Sequence, residues 1–461
     1  MSTSKALKKS VALDATKGPL LAKMIKFAIP VFLSGVLQQA FNTADAIVIG
    51  QFSSAKALGG ISATSSLINL LVNFFMGLSV GAAIAISQHV GAGDNDGAKD
   101  HAHNALATAL MCGIIIAVVG NIFCKPVLRL TQTPEDIIGY SEKYMRIYFA
   151  GVPAILLYNY GAAIMRTMGD TKRPLLYLAI GGVANVALNL VFVMGFGMDT
   201  DGVAIATITS NIISAIFVMY NLCHSHHACR INLKEIGLRK KEFKRIMGLG
   251  LPTGIQSSMF SISNIIMQST INSMGSTFVI GNAASDNLDK YTAFIGDAFV
   301  QSALTFGGQN FGAGNYKRIK KVFMQSMLCV FCSTAILSAL LVIFRYQLVG
   351  LFIKDNPEAV ATGALKVIYV GGMYSIGSMM TVSSANIRAM GKSTVPMIAS
   401  IFGVCIVRII WLYTIFPAHK SAEMLFVIYP ITWAITLIFN VLTFIYFYKK
   451  MASGKMKMGL A

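Results

Sequence analysis

A carboxylate stands inside a long apolar stretch near the start of the chain. Asp45, in GVLQQAFNTADAIVIG, follows Gln38, Gln39 and Asn42. Positions 38, 42 and 45 are spaced by four and three, so on a helix they share one face. An ionisable group surrounded by lipid is costly and marks a functional site by default. Held on a polar stripe, such a carboxylate can exchange a proton or hold a monovalent cation. The plainer reading is an aspartate near a helix end that caps the following loop or pairs with a lysine. Further along, GGVANVALNLVF carries Asn185 and Asn189 on one face, Thr207 follows in GVAIATITS, and Asn159 lies in LLYNYGAA. Each alone is an ordinary helix–helix hydrogen-bonding residue. Together with Gln38, Asn42 and Asp45 they could line one polar pocket.

A second group is denser in charge. Asp286, Asp289, Lys290 and Asp297 fall within about 100° of arc on a helix, and Gln301 extends the stripe. One lysine against three aspartates leaves it acidic, as a cavity wall that attracts a cationic solute would be. The alternative is that SDNLDK lies at a membrane surface, where such residues are ordinary. Gln256 and Asn264 join Asn159 and the three aspartates as candidate solute contacts. Pro30, inside the first apolar stretch, removes a backbone hydrogen bond and predicts a kink that could act as a hinge.

The elements that must position these residues are membrane helices. The chain of 461 residues is 55% hydrophobic and only 12% charged, about half the charge of a soluble protein. Stretches long enough to span a bilayer core of about 30 Å recur near 22–48, 57–88, 104–124, 141–166, 174–196 and 202–223. A second set falls near 247–274, 277–308, 323–345, 360–389, 395–416 and 424–448. The second set repeats the first at an offset of 222, or 221 at one loop. Pro30 answers to Pro252, Asn42 to Asn264, SQHVGAGDN to GQNFGAGN, Arg166 to Arg388, Gly169 to Gly391 and Pro174 to Pro396. The fold expected is therefore an all-α polytopic membrane protein of twelve transmembrane helices, in two pseudo-symmetric six-helix bundles. Six is an even number, so the repeats are parallel. A duplicated membrane unit points to transport.

Lys and Arg, 38 in all against 19 acidic residues, gather in the termini and the even-numbered loops. Only Lys290 and Arg408 are read as lying within spans. The basic excess is thus a topology signal that places both termini in the cytoplasm, not a nucleic-acid footprint. The organisation expected is a tail over 1–21, a lobe over 22–223, a basic amphipathic linker over 224–246 lying on the anionic inner leaflet, a lobe over 247–448 and a tail over 449–461. No cleavable signal peptide is evident. The seven cysteines form no disulfide framework. CHSHHAC (223–229) lacks the ligand spacing of a zinc site, so neither metal nor cofactor is expected. The paired GAG loops follow no strand and lack a Lys-Ser/Thr pair, so they read as tight turns and not phosphate cradles.

With TADAIVIGQF in the first span, the GQNFGAGN loop, RTMGDTKRP after the fourth span and GVAIAT in the sixth, residues 20–450 resemble multidrug and toxic compound extrusion (MATE) transporters. The likeness is closer to the bacterial branch named for DNA-damage-inducible members than to the sodium-driven or eukaryotic branches. The resemblance implies a multi-pass protein of the bacterial cytoplasmic membrane, a monomer and not an enzyme. It would export organic cations or amphipathic drugs, including antibiotics, by alternating access against H+ or Na+. It also implies that Gln38, Asp45, Asn185, Asn189, Thr207 and Asn159 match the family's N-terminal cation site. The family's second carboxylate there is Asn189 in this chain. The seventh-span Glu and tenth-span Asp of the sodium-driven branch find no match, since Phe260 or Ser261 falls near the first and 360–389 holds no acid. Proton coupling through Asp45 alone is the simpler reading.

Two other readings compete. A flippase of lipid-linked precursors would need a cationic cavity for its pyrophosphate, against the acidic excess read here. An intramembrane transferase would need paired Asp motifs for magnesium-pyrophosphate or a His centre, and the seven histidines are read as lying in loops or connections. The 25 methionines suit a broad rather than a selective solute site.

Overall fold

The computed structural model describes residues 13–456 apart from 132, 226, 227 and 354, with only the backbone described at 55, 58 and 66. Long helices follow one another along the chain. In the first half they are α1 Leu20–Phe52, α2 Ala55–Ala92, α3 Asn95–Leu130, α4 Ile138–Thr167, α5 Lys172–Asn189 and α6 Thr200–His224. In the second half α7 is Lys240–Ser273, α8 Ser276–Gly312 and α9 Tyr316–Ile343. Then α10 is a bent pair, Pro357–Gly371 and Tyr374–Ala389, turning by 41°, α11 is Thr394–Ala418, and α12 is Ile428–Ala452.

Among the described residues nine helices are long and apolar enough to cross a membrane, and the bent pair makes ten. The remaining two, α7 and α8, have 34 and 37 residues and fall short only in apolarity, because α8 carries the charged stripe. The twelve-helix plan is therefore present. Helices of 28 to 38 residues outreach the roughly 20 needed to span, so they start before the apolar runs and end beyond them.

Three helices pass through a π turn, a widening that is rare and concentrates at functional sites. The turns are Leu190–Gly195, Val367–Gly371 and Ile401–Ile406. The residues immediately before them are Asn189, Lys366 and Ser400, all polar and all buried.

The chain divides into two compact units. Unit 1 takes in Leu33–Val90 and Asp94–Gly254; unit 2 takes in Ala15–Phe32 and the chain from Ile255 onward. The borders fall just after Pro30 and Pro252, so each proline-bearing helix contributes its two parts to different units.

Within unit 1 the opening part of α7 lies against α2 through glycines. A Cβ on Gly77 would come within 2.5 Å of the Gly254 backbone, and one on Gly81 within 2.4 Å of the backbone of Gly250 and Ile246. Gly77–Gly81 and Gly250–Gly254 are each four apart, the small-residue spacing that lets membrane helices touch backbone to backbone.

The linker is shorter than the sequence suggests, since α7 begins at Lys240. It is also tied down within unit 1. Asn232 N–H donates to His103 Nε2 at 2.9 Å, Lys99 pairs with Glu235 at 2.7 Å, Arg239 pairs with Asp100, and Asn104 donates to the Arg239 carbonyl. In unit 2, Arg318 gathers the carbonyls of Ala15, Lys17 and Gly18, and Asn310 donates to Ala15 as well.

The repeat marks have local causes. Gly169 and Gly391 have φ of 83° and 79°, the left-handed conformation that closes α4 and α10. At both ends the next amide reaches back five residues, from Asp170 to Met165 and from Lys392 to Ile387. The GAG loops are tight turns: Asp94 and Asn315 cap the following helices, accepting from the Gly97 and Arg318 amides.

Candidate functional site

Unit 1 brings three of the predicted residues into one hydrogen-bonded chain. Asn189, in the last turn of α5, donates through Nδ2 to Asp45 Oδ1 at 2.6 Å and toward Asn185 Oδ1 at 3.4 Å. Asn185 and Asn189 are buried, Asp45 half-buried. Val48, Ile49, Val193 and Val203 pack in one apolar cluster around the ends of these helices. No cation pairs with Asp45 among the described residues, and α1 runs on past it to Phe52, so it is neither half of an ion pair nor at the helix end where a loop cap would stand. Asn189 Oδ1 is buried without a hydrogen-bond partner.

The other predicted members stand apart from that chain. Gln38 donates to Asn42 along α1 at 3.4 Å, and Asn159 donates to its own helix at the Ile155 carbonyl. Thr207 Oγ1 is buried and unpartnered.

Unit 2 holds a cavity of about 600 Å³. The charged residues of the predicted stripe on α8 line it, Asp286, Asp289, Lys290 and Asp297, together with Asn264 of α7, whereas Gln301 is not among the lining residues. Phe260, Tyr374, Tyr429 and Trp433 supply aromatic walls. Asp289 is 7% exposed with Oδ1 lacking a hydrogen-bond partner, while Asp297 is open to the cavity. Gly371 leaves room for the Asp289 carboxylate, since a Cβ there would lie 3.2 Å from Oδ1. Arg408 lies over the Tyr429 ring at 4.3 Å and donates from Nε to Thr432.

Three sequence expectations change here. The cation that balances the stripe is Lys366, not Lys290. Lys366 is 3% exposed and pairs with Asp286, whereas Lys290 reaches only Asn287 and is exposed. The cavity thus carries Lys290, Lys366 and Arg408 against three aspartates, so its acidic excess disappears. Secondly, Gln256 does not line the cavity. It is buried, accepting from Arg388 Nη2 at 2.6 Å and donating to Ser400 Oγ at 2.9 Å, a brace between α7, α10 and α11. Thirdly, His89, His101 and His103 are buried helix residues and not loop residues. Among the described residues no three His, Cys, Asp or Glu gather as metal ligands; His226 and His227 of CHSHHAC lie outside the described residues.

The polar ends of the helices carry structural electrostatics. The Gly97 amide and the His89 ring hold the Asp94 carboxyl below the usual carboxylate range. Lys99 and then Asn232 do the same for Glu235 on the linker.

The profile of the family described as MatE fits residues 30–191 and 252–414, one match in each half. The probable multidrug resistance protein YpnP of Bacillus subtilis is 28% identical over 399 residues, covering 86% of this chain and 88% of its own. A second protein of that organism, the probable multidrug resistance protein YoeA, is 27% identical over 432 residues, 92% of this chain and 93% of its own. Among solved structures, a MOP superfamily transporter from Pyrococcus furiosus superposes with a TM-score of 0.87 at 19% identity, over 96% of this chain and 98% of that one.

Proposed function

The chain belongs to the MatE family of multi-pass membrane transporters, which are not enzymes, and on that footing we propose that it is a secondary antiporter. It exports amphipathic organic cations against an inward flow of H+, with Asp45 as the coupling group. Both termini face the cytoplasm in this reading, and the protein acts as a monomer without a resident cofactor. The observation that carries it is the environment of Asp45: a carboxylate within a membrane helix, bonded by a neutral amide and paired with no cation among the described residues.

Asn189 explains how one carboxylate suffices where the family resemblance implies two. A carboxylate only accepts hydrogen bonds, whereas a protonated carboxyl also donates. The Asn189 amide donates to the ionised form through Nδ2, and its Oδ1 is free of partners. Rotating the amide offers that oxygen to the proton when Asp45 takes one up. Both protonation states are then satisfied by the same side chain. A sodium ion would instead need several converging oxygens, and Asp45 and Asn185 supply only part of such a shell.

The solute's place in this reading is the cavity of unit 2. Its aromatic walls suit a flat or quaternary cation through cation–π attraction, and Asp289 and Asp297 supply the opposite charge. The names of the Bacillus subtilis relatives, probable multidrug resistance proteins, support drug-like solutes.

The test is a proteoliposome assay with an imposed pH or sodium gradient. Wild type is expected to take up a cationic dye when driven by the pH gradient, and Asp45→Asn to lose that uptake. Equal uptake by both proteins would remove Asp45 from the mechanism, and uptake driven by sodium alone would replace the proton.

A further inference from the structure

The cavity of unit 2 already contains a positive charge of its own. Lys366 directs its ammonium at Asp286 and at Asn282 Oδ1, the latter at 2.8 Å. Asn282 closes the triangle by donating from Nδ2 to Asp286 Oδ2 at 2.8 Å. Lys366 and Asn282 are 3% and 1% exposed. The ammonium is buried, and without its carboxylate partner it would be an uncompensated charge, which makes the pair hard to break. Asp286 is therefore spent inside the protein although its side chain is half open to the cavity.

The other two carboxylates of the stripe are not spent. Asp289 is buried with an oxygen that has no hydrogen-bond partner, and Asp297 has neither a hydrogen-bond nor an ion-pair partner among the described residues. They stand on the same face of α8 as Asp286, three and eleven residues after it. Lys290 and Arg408 line the same cavity, so three acids face three cations, and a second cationic centre in a solute finds the Asp286 subsite already filled by Lys366.

We propose that Lys366 is a specificity-determining residue, a tethered cation that fills the Asp286 subsite and biases the cavity against solutes with a second positive centre. The inference rests on the reading of this cavity as the solute site. It predicts a change of selectivity, not merely of affinity, when the tethered charge is removed.

The experiment measures equilibrium binding of two probes to the purified full-length protein, tetraphenylphosphonium with one charge and methyl viologen with two. Wild type should prefer the first. Lys366→Met should move the ratio toward the second by about tenfold, one lost or gained charge pairing. Lys366→Met combined with Asp286→Asn should return the ratio to that of wild type, because the freed carboxylate is gone too. An unchanged ratio in folded Lys366→Met, or a gain that persists in the double variant, overturns the proposal. If Lys366→Met fails to fold, Lys366→Arg and the charge-free double variant are read instead. Both should keep the wild-type ratio, and a shift in either overturns it. If neither Asp289→Asn nor Asp297→Asn changes the binding of either probe, the cavity is not the solute site. The reading of the cavity then falls on its own evidence, and the role of Lys366 with it.

Discussion

The two units solve the problem of a charge in a membrane in opposite ways. Unit 1 sets one carboxylate, Asp45, beside amides that bear no charge. Unit 2 gathers three aspartates and three cations around one cavity and lets only some of them pair. An unpaired acid whose neighbour can follow its protonation is suited to moving a proton. A cavity with three acids and three cations, of which Lys366 and Asp286 pair, is suited to holding a charged solute. The duplication supplied the same frame to both, and the differences lie where its residues diverge: Asp45 aligns with Met267, and Asp286, Asp289 and Asp297 align with Thr64, Leu67 and Phe75.

The largest effect that would break this contrast is on coupling. Asp45→Asn should abolish uptake driven by a pH gradient while leaving solute binding intact, and dye uptake read beside equilibrium binding checks both halves of that statement. Next comes Pro30, whose removal in Pro30→Ala should slow turnover while the melting temperature holds. Unchanged transport would sink the hinge. A third variant tests the solute side. Asp297→Asn should weaken tetraphenylphosphonium binding about tenfold, or 1.4 kcal/mol, without altering proton dependence. Of similar size is the packing contrast inside unit 1. Gly81→Leu should cost roughly 1–3 kcal/mol by overpacking, whereas Gly248→Ala, with open space around it, should be neutral or gain up to about 1 kcal/mol of helix propensity. Thermal unfolding in detergent separates the two. The least effect is at the start of α3. Asp94→Ala should cost about 1 kcal/mol as a lost cap, and Asp94→Asn much less. Because the Asp94 carboxyl is held below its ordinary value, its contribution is present above the usual carboxylate range and lost as pH falls through the lowered one. Exchange of the Gly97 amide would report it.

Much of this was legible in the sequence because membrane helices announce themselves by length and apolarity, and because a repeat offset fixes which residues correspond. Asp45 and the α8 stripe could be singled out for the same reason, as charges where lipid permits few. Lys366 falls under the same rule, since it lies inside the span read over 360–389; what no sequence pattern encodes is its partner, 80 residues earlier in another helix. Gln256 was misjudged because a buried amide gives the same sequence signal whether it faces a cavity or an arginine. The glycine seam did leave a trace, two four-residue glycine spacings at Gly77–Gly81 and Gly250–Gly254, but which helices meet is not encoded in either one alone.

One feature of the fold bears on how the protein is made. Ala15–Phe32 is grouped with unit 2, and the side chains that hold Ala15 lie 294 and 295 residues further on. The ribosome therefore delivers the beginning of α1 long before anything it binds exists. For most of synthesis that segment waits in the bilayer on hydrophobicity alone, and domains that close in chain order are the ordinary case. A nascent chain released early would carry an unpartnered start to α1, an address that quality-control proteases could read as unfinished.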